Sequence, residues 1–137
     1  MGSVLNYCDA VVVLREISKA LKAGSYLILE FESSDSWEFM GTSVYRQSAA
    51  LSSTFYGGDP DCKLWLYSFA YIKALIQAND LAIKRVGRSH VLSSMIYRLT
   101  KDVSLSAKFG VADMIAEKIP VLRHGSANVI LLCQKRP

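Results

Sequence analysis

Two glutamates flank Phe31 at the end of a short apolar run, and they are the first candidates for chemistry. Successive side chains of a strand alternate between its faces, so Glu30 and Glu32 lie on the same face if this run is a strand. Open α/β sheets bind ligands at the carboxyl ends of their strands, where a carboxylate can orient or deprotonate a ligand. Glu30 is therefore a catalytic candidate and Glu32 a substrate-lining candidate. Two solvated carboxylates are the alternative.

The two histidines offer a base but no metal site. His90 lies just after a predicted strand and is the second catalytic candidate, whereas His124 lies in a polar turn next to Gly125. Neither histidine has a partner at the spacing of metal ligands, so the sequence predicts no metal. The serines show no nucleophile-elbow pattern, which leaves hydrolase chemistry without support. A surface or hydrogen-bonded histidine is the alternative for both.

An aromatic-rich segment follows the glutamates. It contains Trp37, Phe39, Tyr45, Phe55 and Tyr56. Such a set can form an aromatic wall for a hydrophobic or planar ligand, and core packing is the alternative.

Composition narrows the class of protein. The chain has 137 residues, half of them apolar, and a net charge of +4, which fits one globular domain over residues 1–137. Its basic residues are scattered, so we expect no nucleic-acid binding. Charged residues interrupt every apolar run, so we expect no membrane span. The three cysteines, Cys8, Cys62 and Cys133, are odd in number and far apart, which favours packing thiols and a cytoplasmic location.

Apolar periodicity predicts alternating helices and strands. A helix begins after Asp9 and stops at Gly24, and a strand covered on both faces spans Tyr26 to Phe31. A second helix is capped by Ser68, ends at Asn79 and Asp80, and leads into an outer strand. That outer strand is expected at Leu81 to Val86. An insertion is expected at 32–64, with a helix at Val44 to Thr54. A lid is expected at 90–122, with two helices of which Pro120 ends the second, followed by a buried strand at Ala127 to Cys133.

These elements carry a family resemblance. The stretch from Asp9 to Glu30, DAVVVLREISKALKAGSYLILE, resembles the helix after the fourth strand, and the fifth strand, of class I S-adenosylmethionine-dependent methyltransferases. The segment from Leu64 to Leu81 looks like the family's next helix and its exit, and Val129 to Lys135 is similar to its last strand. Ala23 and Ser25 depart from the family's proline and second glycine, and Asp80 replaces a usual glycine.

The resemblance implies a position within the family's fold. It begins after the family's fourth strand and implies the C-terminal half only, a Rossmann-like α/β piece in three layers with a three-stranded mixed sheet. The last strand is expected in the middle, antiparallel to its neighbours. The first strand would then have an exposed edge, which favours a homo-oligomer or pairing with a missing N-terminal half.

The resemblance also implies a function. The family's cofactor is S-adenosylmethionine, held by a glycine-rich turn after the first strand, and Gly57-Gly58 precedes Asp59-Pro60 rather than opening a helix after a strand. We therefore expect a chain that does not bind the cofactor alone.

The same resemblance assigns roles to individual residues. Asn6 and Tyr7 are the cofactor-binding candidates, with a frayed terminus as the alternative. Glu32, Trp37, Tyr45 and Tyr67 would line the site of a small-molecule acceptor. Two functions remain open: the acceptor-side half of a methyltransferase, inactive alone, and a non-catalytic module that pairs through the exposed sheet edge.

Overall fold

The helix predicted after Asp9 is present with its predicted start, but it ends at Ala20, with Leu21 extended, before the predicted stop at Gly24. The computed structural model describes residues 4–53 and 63–137. Helix α1 spans Ala10–Ala20, and the Asp9 carboxylate accepts hydrogen bonds from the amides of Val11 and Val12 at 2.8 and 3.3 Å. Gly24 then adopts a φ of +81°, a left-handed conformation that glycine takes without a steric penalty, and directs the chain into the first strand.

A three-stranded sheet forms the centre of the fold. Its strands are β1, β4 and β5, and a separate hairpin contains β2 and β3. Their bounds are β1 Tyr26–Glu32, β2 Ala49–Ser53, β3 Lys63–Tyr67, β4 Leu81–Ser89 and β5 Asn128–Lys135. The order is β1-β5-β4, so the last strand lies in the middle and β4 lies outside, as predicted. Both ladders are antiparallel, so within the described residues this sheet is not mixed, contrary to the prediction.

Both long helices pack on the same face of this sheet. Helix α2, Phe69–Ala78, begins after Ser68, whose side chain caps it as predicted, and Asp80 leaves it with a φ of +55°. The buried core joins α1 and α2 to alternate residues of the strands. Its members include Leu14, Ile72 and Ile76 from the helices, and Leu29, Phe31, Val129 and Leu131 from the sheet.

The opposite face of the sheet is open to solvent. Tyr26 is 61% exposed, Ile28 57% and Ile130 38%. The prediction of a first strand covered on both faces was therefore wrong, and so was the prediction of three layers for the described residues. The error arose because the alternating side chains of β1 are apolar on both faces, while only one face has a helical cover.

The region predicted to hold a helix at Val44 to Thr54 contains a strand instead. β2 pairs antiparallel with β3, and Leu51 lies opposite Trp65. This pairing joins segments that are distant in sequence, and it outweighs the weak helical spacing of the segment. Beyond β1, Ser33 forms an isolated parallel bridge to Tyr67, which places the hairpin beside the end of the sheet.

The lid has more helices than predicted. Between β4 and β5 lie α3 Leu92–Thr100, α4 Val103–Lys108, α5 Gly110–Ala116 and α6 Pro120–Arg123. Pro120 was expected to end a helix but begins α6, because proline lacks the amide hydrogen that the first turn of a helix does not use. Within residues 4–53 and 63–137, no helix has both the length and the apolar character needed to cross a bilayer.

Candidate functional site

The strands β1 and β4 end at the same edge of the sheet, beside the beginning of β5. Both strands run antiparallel to β5, so their carboxyl ends meet there. Asn128, the first residue of β5, is paired with Glu32 on one side and with Ser89 on the other. The fold thus brings together residues from three distant parts of the sequence at the edge where α/β sheets hold ligands.

A small polar cavity lies at this edge. We call it the carboxylate cleft; its volume is about 150 Å³ and it is lined by Glu32, Glu38, His90, Ala127 and Asn128. Glu38 reaches it from a single 3-10 turn, Trp37–Phe39, which begins because the hydroxyl of Ser36 accepts a hydrogen bond from the Glu38 amide at 3.2 Å. Two carboxylates therefore face one small space.

Burial raises the pKa of both carboxyl groups in the cleft. Desolvation and the neighbouring charge of Glu32 raise the pKa of Glu38 to about 7, against a smaller opposing effect of Lys101. Desolvation, followed by the charge of Glu30, also raises the pKa of Glu32. A carboxyl with a pKa near 7 is able both to take up and to release a proton at neutral pH, as a general acid or base must.

His90 joins the cleft from the lid side. Its backbone is left-handed, with a φ of +58°, and its Nδ1 lies 3.3 Å from the hydroxyl of Ser93 and 4.0 Å from Oδ2 of Asp113. Asp113 is itself buried and accepts hydrogen bonds from the Leu92 amide and from both the amide and the hydroxyl of Ser93. The imidazole is half exposed and is therefore oriented by the lid while still reaching solvent.

Glu30 lies next to the cleft but does not line it. Its Oε1 is 3.4 Å from the side-chain amide of Asn128, a long hydrogen bond. Glu30 and Glu32 project from the same side of β1, in agreement with the alternation of the strand. Glu30 therefore acts on the cleft through its charge on Glu32, and its catalytic role stays a prediction.

The two predicted cofactor residues have unlike environments. Asn6 is fully buried in a short 3-10 helix, and its amide bridges the amide and carbonyl of Glu32 and the carbonyl of Trp65, at 3.0, 3.4 and 2.5 Å. Asn6 therefore does not belong to a frayed terminus, which was the alternative prediction. Tyr7 is largely exposed. Asn6 ties β1 to β3, and a cofactor role for either residue stays a prediction.

The predicted aromatic lining residues lie elsewhere. Trp37 and Tyr45 line a different cavity on the α2 side of the same edge. Tyr67 is buried farther away, where its hydroxyl donates to the Cys8 carbonyl at 2.7 Å and accepts from the Ala10 amide at 3.3 Å. Burial raises the pKa of Tyr67 to about 12, so this hydroxyl stays protonated and holds α1 to the hairpin. Phe55 and Tyr56, named with them, lie outside the described residues.

Comparison with known proteins adds one likeness at the level of the fold. No protein-family model matches the sequence, and no curated protein matches it. Among solved structures, the chain is similar to a crystal structure of a SAM-dependent methyltransferase from Methanosarcina mazei, with a TM-score of 0.56 over 99% of this chain. The chain has a methyltransferase-like fold. The sequence identity is 12%, and the chain spans 57% of the length of that methyltransferase.

Within this methyltransferase-like fold, two cleft residues were not found from the sequence. Glu38 stands in an irregular segment with no periodicity that would direct its side chain, and Asn128 was grouped with an apolar strand. The serine two residues before Glu38 is a typical N-cap and was the one available signal. In the part of the chain that the structure describes, no group of three or more histidine, cysteine, aspartate or glutamate side chains could hold a metal ion.

Proposed function

We propose that this chain is the acceptor-side part of a methyltransferase that uses S-adenosylmethionine and acts on a small molecule. The carboxylate cleft carries the proposal. It holds a carboxyl with a pKa of about 7 at the carboxyl edge of a methyltransferase-like sheet. A volume of about 150 Å³ admits a small functional group rather than a large ligand.

The residues of the cleft suit the removal of a proton from an acceptor. An amine or hydroxyl must lose its proton when it gains a methyl group, and ionised Glu38 would take up that proton. His90 and the amide of Asn128, which line the same cavity, would orient the acceptor by hydrogen bonds. Glu32 would keep the pKa of Glu38 high through its charge.

The described residues do not fit the cofactor itself. β1 leads into Ser33 and Ser34, and β4 leads into His90 and Val91, so neither strand is followed by a glycine-rich turn that opens a helix. The amide of Asn6 is bonded to backbone groups. We propose that this chain alone neither binds S-adenosylmethionine nor transfers its methyl group, and that residues outside it would complete the site.

Calorimetry with the chain tests this proposal. Titration of the chain with S-adenosylmethionine, and separately with its demethylated product, is expected to give only the heat of dilution, because the described residues offer no backbone cradle for the ligand. A saturable heat with one ligand per chain and a micromolar dissociation constant would contradict it. Thermal unfolding measured in the same buffer provides the control, since a folded chain must show a cooperative transition.

The second candidate function is a non-catalytic pairing module. One observation favours it: the sheet face away from the helices exposes Tyr26 and Ile130. Exposed apolar surface of this kind is typical of surfaces that associate. A second copy of the chain or a separate N-terminal half would cover this face.

Sedimentation equilibrium tests the pairing module. The chain is expected to dimerise as its concentration rises, and a Tyr26→Lys, Ile130→Lys double variant is expected to stay monomeric because a buried ammonium group opposes association. The control is Val111→Lys, at the largely exposed Val111 of α5, which should dimerise as the unaltered chain does. A chain that remains monomeric at every concentration, or dimers that the double variant retains, would remove this candidate.

A further inference from the structure

A second cleft opens on the α2 side of the same sheet edge. It consists of two adjoining cavities of about 240 and 310 Å³, and both are lined by Phe69, Arg88 and His124. Arg88 and Val86 project from the face of β4 that α2 covers, since their partners Val129 and Leu131 are core residues. We call this space the arginine cleft. It is separate from the carboxylate cleft, with which it shares no lining residue.

The guanidinium of Arg88 has contacts to three residues of the arginine cleft and its surroundings. Its guanidinium lies 4.9 Å from the centre of the Phe69 ring, and its Nη1 donates to the Arg123 carbonyl at 3.2 Å and to the Ser126 hydroxyl at 3.4 Å. A guanidinium stacked on an aromatic ring keeps its planar set of donors in a fixed orientation. Burial and the nearby charge of Arg123 lower the pKa of Arg88, which means that the surroundings disfavour its positive charge.

Within residues 4–53 and 63–137, no carboxylate forms an ion pair with the Arg88 guanidinium. The carboxylate of Asp35 lines the cleft, and its charge partly opposes the lowering of the Arg88 pKa, but its Oδ2 accepts a hydrogen bond from the Phe69 amide at 2.9 Å and thereby caps α2. A partly buried guanidinium is usually paired with an acidic group. Arg88 therefore has capacity for an anion from outside the chain.

The walls of the cleft favour the same kind of ligand. Its basic side chains outnumber its acidic ones: the former are Arg46, Arg88, Lys118 and Arg123, and the latter are Asp35 and Glu117. Trp37 and Tyr45 provide flat apolar surface at one end, and Arg46 lies 5.0 Å from the centre of the Tyr45 ring. Positive charge thus adjoins aromatic surface.

We propose that the arginine cleft binds a small ligand that carries a carboxylate or phosphate group on a planar body. The oxyanion contacts Arg88, in the bidentate geometry that guanidinium groups favour, with Lys118 and Arg123 nearby. The planar body packs against Trp37 and Tyr45. This binding does not depend on the proposed methyl transfer, because the carboxylate cleft is a separate cavity.

Binding of simple aromatic anions tests the arginine cleft. Calorimetric titration of the chain with phenyl phosphate and with benzoate is expected to show saturable binding of at least one of them, and the stronger ligand identifies the preferred oxyanion. Benzyl alcohol, which lacks the charge, and inorganic phosphate, which lacks the ring, are both expected to bind more weakly. Equal binding of benzyl alcohol, or no binding of either anion at millimolar concentration, would overturn the proposal.

Variants of β4 assign the binding to this cleft. Arg88→Met is expected to weaken binding of the preferred anion by about tenfold or more, because one charge-assisted contact is lost. Arg85→Met removes the same charge from the same strand, but Arg85 lies opposite Leu132 on the other face of the sheet, so its affinity should stay within about twofold of the unaltered chain.

A variant at the protein surface provides a second test if Arg88→Met does not fold. If Arg88→Met does not unfold cooperatively, Lys118→Met supplies the test, because Lys118 is an exposed cleft residue that carries no core contact. It is expected to weaken binding about threefold. An affinity unchanged in the folded Arg88→Met variant, or in Lys118→Met when that variant is used, would overturn the assignment.

Discussion

Replacement of Gly125 by alanine is expected to destabilise the protein by about 2 to 3 kcal/mol, because the added methyl group has no space. Gly125 is buried, and a Cβ built there would lie 2.1 Å from both Cδ1 and Nε1 of Trp37. The Trp37 amide also donates to the Gly125 carbonyl at 3.1 Å, so the two residues cannot separate without losing this bond. Urea unfolding, followed by circular dichroism, would measure the change.

Two further variants isolate this clash. Gly110→Ala places a methyl group at the start of α5, where nothing lies within 4 Å, and alanine is a better helix former, so this control should be neutral or slightly stabilising. In a Trp37→Leu background, Gly125→Ala should cost less than about 1 kcal/mol, since the ring that it meets is gone. A Gly125→Ala variant as stable as Gly110→Ala would contradict the contact between Gly125 and Trp37.

Local signals allowed the starts of α1 and α2 to be placed correctly. Asp9 and Ser68 each cap a helix by accepting a hydrogen bond from an amide two or three residues ahead, and Asp80 adopts the positive φ expected after a helix. These effects depend on a few neighbouring residues, so the sequence reveals them. The central position of β5 was predicted from its long apolar run together with the family resemblance.

Features that depend on distant contacts were missed. The β2–β3 hairpin forms through pairing across a segment that contains Gly57-Gly58, and nothing within Ala49–Ser53 alone favours a strand over a helix. The exposure of Tyr26 and Ile28 was missed because an apolar side chain does not by itself reveal which face of a sheet is covered.

The candidate site also combines residues that the sequence reveals with residues that depend on the folded chain. Glu32 and His90 were identified because each lies just after a predicted strand, a position that is visible in the sequence. Glu38 was missed because its place in the cleft requires the chain after β1 to turn back on the strand end. The pKa of Glu38 depends on burial, on the charge of Glu32 at the end of β1 and on the charge of Lys101 from the distant lid.

The raised pKa of Glu38 predicts a pH-dependent stability. Its pKa is about 7 in the folded protein and lies near the ordinary value of 4.5 in the unfolded chain. Between these pH values the folded state binds more protons than the unfolded state, so the free energy of unfolding falls as the pH rises. Relative to Glu38→Gln, which resembles the protonated side chain, we expect the unaltered protein to lose about 2 kcal/mol from pH 4.5 to above pH 7, after allowance for solvent that reaches the cleft.

Two variants check the origin of this dependence in urea unfolding at a series of pH values. Glu16→Gln is the matched control: Lys19 and Arg15 lower the pKa of the exposed Glu16, so its small contribution to stability is lost as the pH falls, which is the opposite direction. Lys101→Met removes a charge that lowers the pKa of Glu38, so the loss of stability should extend to higher pH. If the unaltered protein and Glu38→Gln show parallel pH profiles, Glu38 ionises normally, and the proposed function loses the raised pKa that supports it.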